Sequence, residues 1–415
     1  MNTLKLLVLP LVLAGILLNA RGESSHTDIN PAFLYYRAFL LSPNLSQPDS
    51  DYLYTNNWRG QKIPERLGKL VDGYDDEFKL ARQAAKSSAP CDWGIDMSAG
   101  PQTLFPQLAR AKGLALAAQL RVPWHLQNGN QAAACDDLLT TFALARNLPR
   151  DGTLIALLVQ FALEAINSST IAQNFGLFSP ATLQQLADGL DALLPRRTVA
   201  EAAESEKALY LDRTIQKIQE LQQQNPGNDA KVMAETREFM GFNHEVQSNL
   251  WPPVATASGG TSEGILRLLR EEEGLVDGFT NFLRLPYSEF QAQKPAFLEQ
   301  IEKSPNPLFT AIAPSIVRAR EREFRILATL AILRAGIEYK LHGESALSAN
   351  DPCGNGPLAF SRFTFEGVDR GFQFKSAFDL GRNMAVLIFV EKSGPPFQVD
   401  GNYPGRPLTL AVPGH

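Results

Sequence analysis

The chain has 415 residues, 44% hydrophobic and 20% charged, with a formal net charge of −5. That balance is ordinary for a globular protein with ample apolar material for a core, and the length allows two or three domains or one large helical array. There is no basic excess to neutralise phosphates, which argues against nucleic acid as a partner.

Lys5 precedes an apolar run, Leu6 to Leu18, broken only by Pro10, and Leu18-Asn19-Ala20 ends in a small residue suited to cleavage. This is the pattern of a secretory signal peptide over residues 1–20 and predicts export to the periplasm or beyond. Leu13-Ala14-Gly15 begins like a bacterial lipoprotein box, but Ile16 stands where the box needs cysteine, so no lipid anchor is expected. The run is short for a membrane span, and no later segment approaches twenty unbroken apolar residues. The mature chain is therefore expected to lack a transmembrane span. Export permits a disulfide among Cys91, Cys135 and Cys353. Three pairings are open, since bridging needs Cα atoms within about 7 Å. No C-x-x-C pair exists, so neither a zinc ribbon nor a thioredoxin-like site is supported, and no metal or cofactor is expected.

Residues 21–345 read as a helical domain. Asn30-Pro31 supplies a cap and a first-turn proline for AFLYYRAFLL. Pro64 opens a second helix through Lys86. After CDWGIDMSAGP (91–101) a long apolar helix runs to about Gln127, with a kink expected at Pro123. Asn128-Gly129-Asn130 turns the chain into a helix with Cys135, Leu138, Leu139 and Phe142 on one face. That hairpin resembles one pair of a tetratricopeptide array, but no repeat period follows. Further helices are predicted near 152–174, 180–194, 197–224, 229–248, 262–285, 287–303 and 315–342. The stretch PPVATASGGTSEG (252–264) reads as a mobile linker. The fold class expected is mainly α: an irregular helical bundle or α-solenoid-like array.

From residue 346 to 415 the pattern changes. After the turn DPCGNGP (351–357), alternating phenylalanines between Phe360 and Phe374 and the apolar run Met384 to Val390 predict a small antiparallel β-module of three or four strands. Such a module must pack on the helices to be stable. The end, from Pro395, reads as extended.

Several stretches carry residue types used in catalysis or metal binding. Gly260-Thr261-Ser262-Glu263-Gly264 matches G-x-S-x-G, but no strand precedes it; a capping loop is the simpler reading. His244-Glu245 begins H-E-x-x-H, yet Ser248 replaces the second histidine. His125 reads as a helix-end residue. Asp92 and Asp96, beside Trp93, are the best candidates for a paired-carboxylate hydrolase or a calcium site. Against that, both acids can hold a turn by accepting backbone N–H groups, with Trp93 filling a pocket between helices. The acid runs Asp75-Asp76-Glu77 and Glu271 to Glu273 read as solvated faces.

The segments YYRAF (35–39), CDWGIDMSAGP, LARNL (144–148), TLIALLV (153–159) and the LHG…DPCGNGPLAF…GFQFKS tail resemble a group of exported bacterial proteins, and the similarity spans most of the mature chain. The resemblance implies export and architecture, not an activity. The tail is also similar to the C-terminal module of type II secretion pseudopilins, but that family's calcium loop is not reproduced after Ser376. The reading that follows is an exported helical scaffold binding a protein or envelope component. A hydrolase using Asp92 and Asp96, or a component of a pilus-related envelope assembly, are the alternatives.

Overall fold

The computed structural model describes residues 29–55, 60–243, 248–380, 383–401 and 403–408. Residues 1–20, read above as a signal peptide, His26, His244-Glu245 and His415 lie outside them. The fold is mainly α, with fifteen α-helices among the described residues and a three-stranded antiparallel sheet near the C-terminus.

The first half comprises α1 (Pro31–Leu40), α2 (Gln47–Thr55), α3 (Glu65–Asp72), α4 (Asp75–Ala85), α5 (Pro106–Gln127), α6 (Gln131–Asn147), α7 (Leu154–Gln173) and α8 (Pro180–Asp191). The cap read from sequence at Asn30 is present, accepting from the Ala32 N–H, and the turn residue Asn130 also caps α6 by accepting from the Ala133 N–H. One expectation needs revision: the helix opened by Pro64 breaks at Gly73-Tyr74 into α3 and α4. Pro123 lies inside α5, which runs on to Gln127. Along α7, length and composition would suit a membrane crossing, but its sides are covered by α5, α6, α15 and the sheet. Its buried Glu164 accepts a charge-assisted bond from Arg196 (2.8 Å) and forms an ion pair with Arg146 (3.0 Å), so the acid is paired within the core.

The second half runs α9 (Val199–Glu206), a π-helical turn (Lys207–Asp212), α10 (Arg213–Gln224), α11 (Asp229–Phe239), α12 (Trp251–Ala257), α13 (Ser262–Leu283), α14 (Tyr287–Glu302) and α15 (Pro307–His342). The expected linker at 252–264 is mostly ordered structure. Pro252 and Pro253 sit in the first turn of α12, where their missing N–H groups cost nothing, and Thr261 caps α13 by accepting from Gly264 N–H. The last helix starts at Pro307, eight residues earlier than its apolar pattern suggested. Buried Asn306 caps it by accepting from Leu308 and Phe309 N–H while donating to the Leu268 carbonyl.

Strands β1 (Ala359–Phe365), β2 (Val368–Leu380) and β3 (Asn383–Val390) lie in the order β1-β2-β3. One sheet face closes on α15 and on Phe175 just after α7. Phe372 stacks on Phe389 across β2 and β3 (4.9 Å), and Tyr339 of α15 meets Phe372 edge-on at 4.8 Å. The approach is close enough that a Cβ on Gly336 would fall 2.1 Å from Phe389 Cζ, so α15 needs glycine there. The sheet thus shares one apolar cluster with α6, α7, α8 and α15. The turn at Asp351 is tied to the central strand β2: its carboxylate accepts from Cys353 N–H (2.9 Å) and Ser376 hydroxyl (2.6 Å). The tail is anchored, since Phe397 is fully buried against Phe363 and Phe365 and Val399 accepts from Ile388 N–H.

Candidate functional site

The corner Cys91–Pro101 is where sequence reasoning placed its best acids. Trp93 is buried, stacks on Tyr35 (5.7 Å), meets Tyr36 edge-on (5.5 Å) and donates its indole N–H to the Asn147 carbonyl at 2.9 Å. It therefore pins α1 to the end of α6. Asn30 adds a clamp by accepting from the Asp92 N–H. Asp92 accepts from Gly94 N–H (2.9 Å), and Asp96 from Ser98 N–H (2.8 Å) and hydroxyl (2.9 Å). Both acids are exposed. The Ser98 bonds hold the Asp96 carboxyl below the usual aspartate range. This geometry is that of turn-holding side chains, not of a carboxylate raised for acid catalysis. The corner also reaches α11: Gly100, at φ 58°, sits where a Cβ would come 2.6 Å from Phe239 Cζ.

The other sequence candidates are likewise absorbed into structure. Ser262 is buried, donates its hydroxyl to Asp229 and accepts from Gln222 at 2.9 Å. His125 lies 3.5 Å from Asp137, a buried acid already bound by Arg121 at 2.8 Å. The three cysteines are unpaired and buried, and burial pushes Cys91 and Cys353 to about 12 and Cys135 to about 11. Thiols held that far up are poor nucleophiles.

A different place has the character of a binding site. Where the π-helical turn, α12, α13 and the start of α15 converge, they leave a cavity of ≈ 350 Å³. Its walls are mostly apolar: Leu211, Met240, Phe242, Val254, Leu269, Val276 and Leu308, with Leu250 and Ile312 exposed at the rim. Volume and lining match those of small-molecule pockets, about 300–1,000 Å³ with a few polar groups on apolar walls. The π-turn interrupts a long helix at this wall, a feature that recurs at functional sites.

The polar groups are two glutamates, Lys207, Tyr210 and Thr214. Glu206 accepts from the Leu154 N–H at 2.8 Å, capping α7 from outside. Burial raises its carboxyl to about 7, and the neighbouring Asp151 adds to the rise. Tyr210 is pushed to about 12 by burial and by Glu206. Glu272 projects from α13 between Leu269 and Val276, on the same helical face. Burial alone raises it to about 7. Lys207, the one cation among the lining residues, pairs instead with Glu273 at 3.2 Å.

Glu272 corrects the reading of Glu271 to Glu273 as a solvated face. Glu271 pairs with Arg267 and Glu273 with Lys207, but the middle acid turns inward. A signal for this exists in the sequence: Ile265, Leu269, Glu272 and Val276 follow the period of the apolar stripe. Glu77 departs similarly, being buried and accepting from the Ser42 hydroxyl at 2.6 Å. Comparison with protein-family models, curated proteins and solved structures finds no match.

Proposed function

We propose that the chain is an exported helical binding protein of the cell envelope, and that the cavity at the π-helical turn receives a small, mostly apolar ligand. The observation that carries this reading is the pairing of apolar walls with two inward carboxyl groups in one cavity of ≈ 350 Å³. A cavity lined only by hydrocarbon would be dry, whereas carboxyl groups set in apolar walls match the few polar groups on apolar walls of small-molecule pockets. Export rests on the N-terminal pattern of Lys5, the run to Leu18, and Ala20. The hydrolase reading at Asp92 and Asp96 draws no support from acids that are exposed and committed to their own turn.

The test is titration of the mature chain with a neutral solvatochromic dye, Nile red, beside the variant Ala311→Trp. Ala311 lines the cavity and is half-buried, so an indole there occupies ligand space with little disturbance of the core. The expected result is saturable enhancement at one dye per chain, lost in Ala311→Trp while the melting temperature holds. Equal enhancement in the filled variant would overturn the assignment.

A further inference from the structure

We infer that the ligand of this cavity is a cationic amphiphile, an apolar body carrying a protonated amine, and that Glu272 is the counter-ion for the amine. The inference rests on the reading of the cavity as a binding site and names the class of molecule it takes. Three observations carry it. First, Glu272 stands on the apolar face of α13 and lines the cavity among Leu269, Val276 and Leu308. Second, no hydrogen bond or ion pair from the described residues reaches its carboxylate, although Glu271 and Glu273 on either side are both paired. Third, the one lining cation, Lys207, is drawn to Glu273.

Glu272 is half-buried and unpaired, so its carboxylate is only partly solvated, and a partner cation in the cavity would recover much of the lost solvation. Glu206 does not compete for the role, because it already accepts from the Leu154 N–H. An anionic ligand would face two carboxyl groups with no free cation to receive it. A neutral one would fill the apolar walls and leave Glu272 as it is. Only a cationic head uses both parts of the site. The body is limited to a short chain or small ring system by the cavity's size.

The experiment is calorimetric titration of the mature chain with a matched series, octylamine, octanol and octanoate, at neutral pH. It is repeated on Glu272→Gln, and Nile red displacement is the second readout. The expected result is octylamine tighter than octanol by about tenfold or more, the size of a charge-assisted contact, with octanoate weakest. In Glu272→Gln the amine's advantage disappears while octanol binds as before. Amine and alcohol binding equally, or an advantage that survives in Glu272→Gln, would overturn the ligand class and leave the cavity a binding site. If none of the three binds or displaces the dye, the binding-site reading fails together with it.

Discussion

The corner Cys91–Pro101 and the cavity at the π-helical turn each combine acids, aromatic rings and glycine or proline within a small volume, yet they treat their acids in opposite ways. At the corner, Asp92 and Asp96 are exposed and accept from N–H groups two residues away, while the aromatic ring beside them is the buried member. In the cavity the acids are the lining members, and Glu272 has no hydrogen-bond or ion-pair partner among the described residues. A high local density of reactive residue types thus marks a well-satisfied turn in one region. In the other, a single acid out of register with its paired neighbours marks the place with unmet interactions. Hydrogen-bond bookkeeping separates the two where composition does not.

The comparison breaks most directly at Trp93. Its ring is buried between α1 and α6, and its N–H satisfies a carbonyl at the end of α6. Trp93→Ala should cost about 3–5 kcal/mol, as loss of a buried aromatic does, measured as a shift in the urea midpoint. A cost within experimental error of zero would mean that the corner does not organise the first helices.

A smaller effect of opposite sign is expected at Glu272. Replacing an unpaired inward acid by a hydrocarbon of similar size removes a desolvation penalty, so Glu272→Leu should stabilise the chain by about 1–3 kcal/mol near neutral pH. The pH dependence follows from its raised carboxyl, at about 7 in the fold. Below the ordinary glutamate range both folded and unfolded chains hold the proton, and no penalty applies. Between that range and about 7 the unfolded chain releases a proton that the fold retains, so the stability contributed by Glu272 is progressively lost as pH rises. The gain in Glu272→Leu should therefore grow across that window and level off above it. A gain that did not vary with pH would show that Glu272 titrates normally and has water or a partner at hand.

How much of this was legible in the sequence differs by level. The mainly helical architecture, the capped start at Asn30, the turn at Asn128 to Asn130 and the small antiparallel module were readable because each rests on local pattern: caps, turns, and the switch from helical to two-residue periodicity. Boundaries went wrong where tertiary contacts decide. Asn306 caps α15 while reaching across to Leu268, and α12 exists because Val254 packs into the core beside Leu266 and Leu308. The corner's role was legible, since Asx-type turns and a lone tryptophan have local signatures. Half of the cavity was available as well, in the placement of Glu272 on an apolar stripe. The other half was not: Glu206 is defined by an N–H donor 52 residues away in the chain, and nothing in KALYLD announces a π-turn.

The finest test of the contrast uses Asp96, whose effect should be the smallest and whose pH sign is opposite to that of Glu272. Its carboxyl is held below the usual aspartate range by the Ser98 N–H and hydroxyl. A lowered acid stabilises the fold above its ordinary range, and that contribution is lost as pH falls through its folded value. Asp96→Asn keeps the shape and one acceptor but removes the charge that strengthens both bonds. Its melting temperature should sit slightly below that of the parent chain at neutral pH, and the two should converge in acid. Glu272→Leu should show the reverse, with its difference from the parent largest at neutral pH and positive. If Asp96→Asn instead proved more stable than the parent at neutral pH, its carboxylate would be a cost to the fold like Glu272, and the corner would have to be reconsidered as a binding surface.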